Sequence, residues 1–568
     1  MKRKGIAALL AICMLGSLLT GCGNDSSKSP SNSSDYWAPQ NNAGYSYNGE
    51  SYDDGSYDAG FSYEANDALS PDMVLYEEWD ESMNSEEYST LTEQGFFSVY
   101  REPLSTFSAD VDTASYSNLR RMIQDGYSIS NLPEGAVRIE EIINYFSYGD
   151  LNEPRADEPF GVTTQIMPCP WNDDTQLLRI GLKTESIDYE EFPPSNLVFL
   201  LDVSGSMYSK DKLPLLQDSF ALLAENLTEK DRVSIVTYAG DDRIVLEGAS
   251  GNQTDVICKA LFSLEANGST NGSKGIETAY RLAEANYIEG GNNRVILATD
   301  GDLNVGLTSE EELEDLITEK KESGVFLSVL GFGTGNIKDN KMETLADKGN
   351  GNYAYIDSLR EANKVLVEEM SATLLTVCKD VKFQVEFNPA VGKEYRLVGY
   401  DNRRMEAKDF DDDTKDAGEI GAGHCVTALY EIVTNEPVDG NGRTEKKLKY
   451  AEAHENAAGN EDGAGSGTIG DYKTDEWLTV SIRYKEPEGS ESMLLEYPVD
   501  YTSYTSDPND DFRFAAAAAE FGLAAMDSEY KADASLKHVK DVLKEITLGD
   551  EYKKEFSELV DMLISNSR

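Results

Sequence analysis

The stretch LVFLLDVSGSM, residues 197–207, decides how the rest of the chain is read. Five consecutive apolar residues, Leu197 to Leu201, form a strand buried on both faces, as in a parallel sheet covered by helices on either side. The run stops at Asp202, and Ser204 and Ser206 follow at alternate positions around Gly205. Three oxygen-bearing side chains just past the carboxyl end of a buried strand have the makings of a site.

Outward from that strand, apolar runs and amphipathic helical patterns alternate over residues 195–377. LPLLQDSFALLAENL, RVSIVTYAG, RIVLEG, TDVICKALFSL and SKGIETAYRLAEANYI lead to RVILATDG, SEEELEDLITEKKESG, VFLSVLGFG, NKMETLADKG and NYAYID. This alternation predicts an α/β domain, a doubly wound and mostly parallel sheet. On either side the pattern changes. Residues 96–190 carry a short strand, two helices (PLSTFSADVDTASYSNLRRMIQDG, with Thr113 or Ser115 as N-cap, and AVRIEEIINYF) and the strands FGVTTQIM and QLLRIGLKT. Residues 380–505 show five alternating strands, and 510–568 are helical. Two isolated strands are marginal on their own. Residues 160–184 are therefore expected to pair with the strands after Asp380 in one β-sandwich-like domain. The α/β domain would then be inserted between them, its strand-end edge facing away on a stalk.

The amino terminus, MKRKGIAALLAICMLGSLLTGCGNDSS, has a basic start and an apolar run too short to span a membrane comfortably. Its end, Leu19-Thr20-Gly21-Cys22, resembles the bacterial lipobox. That resemblance implies a signal peptide at 1–21, lipidation of Cys22, export, and a lipid anchor on the outer face of the cell membrane or on the outer membrane. Residues 22–95, rich in Ser, Asn, Gly, Asp and Tyr, read as a disordered acidic tether.

The formal charge of −54 excludes nucleic acid as a partner and leaves the lipid anchor as the sole tie to a membrane. Six cysteines and three histidines leave little material for zinc. Cys169, Cys258, Cys378 and Cys425 are widely spaced and without a C-x-x-C pair, so disulfide connectivity stays open.

Ligands of such sheets bind outside the carboxyl ends of strands, where several loops converge. Beside Asp202, Ser204 and Ser206, the loop ANGSTNGSKG offers Thr270, and RVILA ends in Thr299-Asp300-Gly301-Asp302. Hydroxyls and carboxylates without imidazole or thiolate are hard oxygen donors, suited to Mg²⁺ or Mn²⁺. Asp302 either supports the site from behind these residues or caps the helical pattern LTSEEELEDL.

These residues resemble the metal-ion-dependent adhesion site of von Willebrand factor A (VWA) domains. The resemblance implies that Ser204 and Ser206 contact the cation through their hydroxyls, and Thr270 directly or through water. Asp202 and Asp300 would act chiefly through waters, leaving one position open for a carboxylate from a protein or extracellular-matrix ligand. PLSTFSADVDTASY, RIEEIINYF, CPWNDDTQLLRIGLK, LATDGDLNVG and DDTKDAGEIGAGHCVTALYEI extend the likeness. In that order they resemble the YfbK-like bacterial VWA lipoproteins, with a VWA-associated amino-terminal region and a characteristic carboxyl-terminal domain.

Other motifs lead nowhere. GFGTGN lacks G-K-[ST] and reads as a glycine turn, and DFDDDTKDAGEI has Thr414 and Ile420 where a calcium loop needs Gly and Glu. A serine hydrolase built on Ser204 or Ser206 has no G-x-S-x-G, and His424, His454 and His538 all lie outside the α/β segment. The expectation is a non-enzymatic surface binding protein. The alternative is a cell-envelope structural or assembly factor with a regulatory or vestigial metal site.

Overall fold

The computed structural model describes residues 85–568, apart from 110–111, 156–157, 187–191, 240–241, 268–273, 302–309, 370–374, 416, 439–474 and 488. The amino-terminal part holds two short strands, β1 (Phe97–Ser98) and β2 (Leu104–Ser108), then helices α1 (Ala114–Gln124) and α2 (Ile139–Asn144). Strands β3 (Phe160–Pro168) and β4 (Gln176–Thr184) follow. Thr113 takes the N-cap position of α1 without a side-chain cap bond; the backbone N–H of Ser115 donates instead to Glu141 Oε2 at 2.7 Å. A carboxylate from the next helix thus satisfies one of the free amides at this helix end.

The middle of the chain builds one six-stranded sheet from β5 (Ser195–Asp202), β6 (Arg232–Tyr238), β7 (Asp242–Ser250), β8 (Asn292–Thr299), β9 (Phe326–Phe332) and β10 (Tyr353–Ile356). Their order is β10-β9-β8-β5-β6-β7, all parallel except the β7 edge strand. Helices α3 (Leu213–Glu225), α4 (Thr254–Leu261), α5 (Lys274–Ala285), α6 (Glu310–Lys321), α7 (Asp339–Lys348) and α8 (Leu359–Asn363) cover it. All eight residues of β5 are buried. Leu197, Phe199 and Leu201 pack with α3, α4 and α8; Val198 and Leu200 pack with α5, α6 and α7. The continuous apolar run exists because successive side chains alternate between two covered faces.

The remaining strands are β11 (Thr376–Phe387), β12 (Gly392–Val398), β13 (Arg404–Met405), β14 (Gly418–Gly421), β15 (Cys425–Thr434), β16 (Glu476–Lys485) and β17 (Met493–Asp500). They join the early strands in two sheets, β1-β12-β15-β4-β3 and β13-β2-β11-β16-β17, with β14 on β11. β4 pairs antiparallel with β15, from Lys183 opposite Cys425 to Gln176 opposite Ile432. Phe160, Leu178, Ile180 and Leu182 enter the same core as Phe383, Val385, Tyr430, Val480 and Ile482. The α/β domain is inserted into a sandwich, as the two early strands require. β1 and β2 also belong to the sandwich, one in each sheet.

Helices α9 (Asp510–Ala525), α10 (Leu536–Glu545) and α11 (Glu551–Asn566) form a layer with α1 and α2 over Leu177, Val398 and Leu429 of the sandwich. Each of the three opens on a side-chain cap: Asn509 Oδ1 accepts from Phe512 N–H at 2.8 Å, Ser535 Oγ from His538 N–H at 3.2 Å, and Asp550 Oδ1 from Lys553 N–H at 2.8 Å. At Gly522 a Cβ would lie 2.9 Å from Ile139 Cγ1, so the missing side chain admits α2 against α9.

The α/β domain joins the rest along its side. Arg138 Nη2 reaches Asp339 at 3.2 Å and its Nη1 reaches Glu343 at 2.7 Å, while Arg403 Nη1 reaches Asp347 at 2.8 Å. These contacts run the length of α7. Attachment is therefore lateral, and the stalk opposite the strand-end edge is replaced by a joint along α7, β10 and α8. Residues 85–95, expected as the end of the tether, are held to the folded body, while the rest of the expected tether and the signal peptide lie outside the described residues. Ser85 N–H donates to Gly335 O and Glu87 N–H to Ile337 O, both at 2.8 Å, and Gln94 N–H donates to Asp401 Oδ1 at 3.0 Å. Polar residues 85–95 are thus held by backbone and side-chain hydrogen bonds to the folded body, which composition alone does not register.

Candidate functional site

β5 delivers Asp202 to the sheet edge, and the backbone then turns. Val203 N–H donates to Tyr238 O at 3.1 Å, and Asn267 N–H donates to Val203 O at 2.9 Å. The second bond ties Asn267 to this turn. Asp202 Oδ1 accepts from Ser204 N–H at 2.8 Å, an Asx-type turn that fixes the carboxylate and the serine together. Gly205–Tyr208 form a single 3₁₀ turn, which brings Ser206 Oγ to 2.9 Å from Ser204 Oγ.

From β8, Thr299 Oγ1 donates to Asp202 Oδ2 at 3.3 Å and accepts from Gly301 N–H at 3.3 Å. Gly301 has φ +104°, and a Cβ there would fall 2.2 Å from Asn336 O, so only glycine lets this loop lie against the one after β9. Asp300 Oδ2 accepts from Lys212 Nζ at 2.8 Å.

The structure therefore brings Asp202, Ser204, Ser206 and Asp300 together. Thr270, Asp302 and Cys22 lie outside the described residues. Asp202, Ser204 and Asp300 are almost fully buried, while Tyr208 on the same turn is 83 % exposed. Burial pushes the Asp202 carboxyl up to about 6, against the lowering effect of the Ser204 hydrogen bonds and with Asp300 adding to the rise. Burial, with Asp202 beside it, likewise holds the Tyr238 phenol well above its usual value.

Sequence reasoning missed Lys212, and it named Thr299 without seeing that its hydroxyl holds Asp202. Lys212 left one readable signal. A lysine at the amino end of a helix opposes the helix dipole, so it needs another reason to be there.

Among the described residues no group of three or more His, Cys, Asp or Glu side chains gathers to hold an ion. The strand-end set instead offers two carboxylates and two serine hydroxyls, oxygen donors alone, which fit a hard divalent cation. The other expectations take definite form. Cys169, Cys258, Cys378 and Cys425 are free thiols. Gly333 and Gly335 have φ +73° and +89°, a glycine turn after β9. Asp411 and Asp413 of the acidic loop pair with Arg483 at 3.0 and 3.3 Å. His538 is bonded to Glu520 in the helical layer, and His424 sits in the turn before β15.

A mostly parallel sheet covered on both faces, with D-x-S-x-S after β5 and T-D-G after the neighbouring β8, defines a VWA domain, a fold that mediates protein–protein interactions. The model described as "von Willebrand factor type A domain" matches residues 196–369, and "von Willebrand factor" matches 82–179. "Uncharacterized protein YfbK, C-terminal" matches residues 372–565.

"Uncharacterized protein YfbK" of Escherichia coli (strain K12) is 43% identical over 472 residues, covering 82% of this chain and 78% of that protein; the chain belongs to the YfbK family. Inter-alpha-trypsin inhibitor heavy chain H3 of Bos taurus is 28% identical over 196 residues, 32% of this chain and 22% of its own length. The solved von Willebrand factor type A protein from Catenulispora acidiphila aligns at 16% identity over 73% of this chain and 91% of its own, with a TM-score of 0.39.

Proposed function

We propose that this is an exported, lipid-anchored binding protein that engages a protein or extracellular-matrix ligand through a divalent cation at the edge of β5 and β8. One observation carries the reading: Asp202, Ser204, Ser206 and Asp300 converge with oxygen donors alone. Ser204 and Ser206 would hold Mg²⁺ or Mn²⁺ with Thr270, and Asp202 and Asp300 would steady it. The ion supplies an electrophilic position for a partner's carboxylate. Tyr208, exposed beside the site, supports a protein partner, since rigid aromatic side chains are favoured anchors at interfaces. Asp202 orients Ser204, and Thr299 orients Asp202. Cys22 would carry the lipid that keeps the folded body at the membrane surface.

A second reading, an envelope structural or assembly factor with a regulatory metal site, is favoured by one contact. The Lys212–Asp300 ion pair satisfies a buried carboxylate without any metal. Calorimetry with Mg²⁺ on the purified protein and on Asp202→Ala tests the metal, with binding expected in the first and lost in the second. Capture from envelope extract with and without EDTA separates the readings. A partner retained equally in both favours the assembly factor.

A further inference from the structure

We propose that Lys212 sets the charge of the strand-end site so that a divalent cation is held firmly only together with an anionic group from the partner. This inference rests on the metal reading given above. Lys212 Nζ lies 2.8 Å from Asp300 Oδ2, and the two side chains are 8% and 0% exposed. The lysine stands at the N-cap position of α3, immediately after the turn that carries Ser204 and Ser206. Its stem passes over Gly333, where a Cβ would fall 2.2 Å from Lys212 Cγ. A glycine on the β9 loop thus clears the path by which the ammonium reaches Asp300. Asp211, the neighbouring acid, is bonded instead to Ser209 and Thr334.

The consequence is electrostatic. Among the described residues of the site, Asp202 and Asp300 bring two negative charges and Lys212 returns one. A divalent cation placed among them leaves the buried site with one uncompensated positive charge. Removing that excess from a poorly solvated site requires an anion, and a carboxylate supplies the charge that is missing. Without the lysine, the two aspartates alone would balance the cation, and an anion would add little. Lys212 is therefore a positioning residue that couples two binding events: it weakens the metal alone and strengthens metal and carboxylate together.

The test uses the purified protein with Lys212→Met and Lys212→Gln, the second keeping a hydrogen-bond donor for Asp300. Calorimetric titration with Mn²⁺ alone should show both variants binding about tenfold or more tightly than the natural protein. Repeating the titration in saturating acetate should tighten Mn²⁺ binding to the natural protein and leave the variants unchanged. Equal or weaker Mn²⁺ binding by the variants, or an acetate effect that survives in them, overturns the proposal. So does loss of fold in both variants, which would make Lys212 purely structural. If the natural protein binds no Mn²⁺ with or without acetate, the metal reading itself falls, an outcome distinct from variants that bind no better than a competent parent.

Discussion

Arg120 of α1 grips Asp357, just past β10, through two parallel hydrogen bonds, Nε to Oδ2 at 2.7 Å and Nη2 to Oδ1 at 2.6 Å. The same guanidinium reaches Glu361 at 2.7 Å, Glu555 at 3.3 Å and the Tyr145 hydroxyl at 2.9 Å. One buried cation thereby ties the inserted domain to the amino-terminal and carboxyl-terminal helices. Burying such charges is costly, and the geometry compensates only while every partner is present.

Replacing Arg120 with Met should therefore destabilise the protein by roughly 3–5 kcal/mol, because Asp357 and Glu361 are left buried without their cation. Adding Asp357→Asn should recover part of that loss. Denaturant unfolding of the single and double variants measures the coupling, and additive losses would show that the pair acts through packing alone.

Asp202 makes a prediction about pH. Burial raises its carboxyl to about 6 in the folded state, above the ordinary carboxylate value. The folded protein then binds more protons than the unfolded chain between about pH 4 and pH 6. Over that window the contribution of Asp202 to stability falls as pH rises, and above it the buried charge is a full cost. In EDTA, Asp202→Asn should be more stable than the natural protein at pH 7.5, by up to about 3 kcal/mol, with the gap closing toward pH 4. Thermal melts across that range check the sign. A gap that widens in acid would show that the carboxylate is stabilised by its hydrogen bonds more than it is penalised by burial.

Gly301→Ala should disturb the site from its backbone side. At φ +104° a side chain is strained, and the new Cβ would meet Asn336 O. A cost of about 1–3 kcal/mol is expected, together with weaker Mn²⁺ binding, since Asp300 and the Thr299–Gly301 contact shift together. Calorimetry and a melt in EDTA, made on the same preparation, separate the two effects.

The α/β sheet was legible because β5, β6, β8 and β9 are apolar on both faces, and no other arrangement buries them. The candidate site was legible where its residues sit on one short loop, as Asp202, Ser204 and Ser206 do. Lys212 was not, because its significance depends on Asp300, 88 residues away in sequence but 2.8 Å away in space. α2 carries Glu140, Glu141 and Asn144 among its isoleucines, yet all six of its residues are buried. Glu140 donates no charge to solvent; its carboxylate accepts from Tyr400 N–H at 2.9 Å. Polar letters on a helix face show where hydrogen-bond partners must be, and a sequence cannot say whether water or protein supplies them.

The sandwich itself makes the last prediction. β4 and β15 are some 250 residues apart in the chain, with the inserted domain between them, yet they share an eight-position antiparallel register. β3 continues the sheet beyond β4, and Ile166 O accepts from Thr505 N–H at 2.8 Å, so the edge of the early pair is also tied to the carboxyl-terminal part. A two-stranded hairpin has little stability alone and opens independently of whatever it leans on. Strands sharing one core open only when that core is lost. Native-state hydrogen exchange should thus give β4 amides the same opening free energy as those of β15, and a substitution such as Ile180→Ala should lower both together by about 2–5 kcal/mol. Fast exchange confined to β3 and β4, with β15 unaffected by the substitution, would show that the early strands fold as a separate unit.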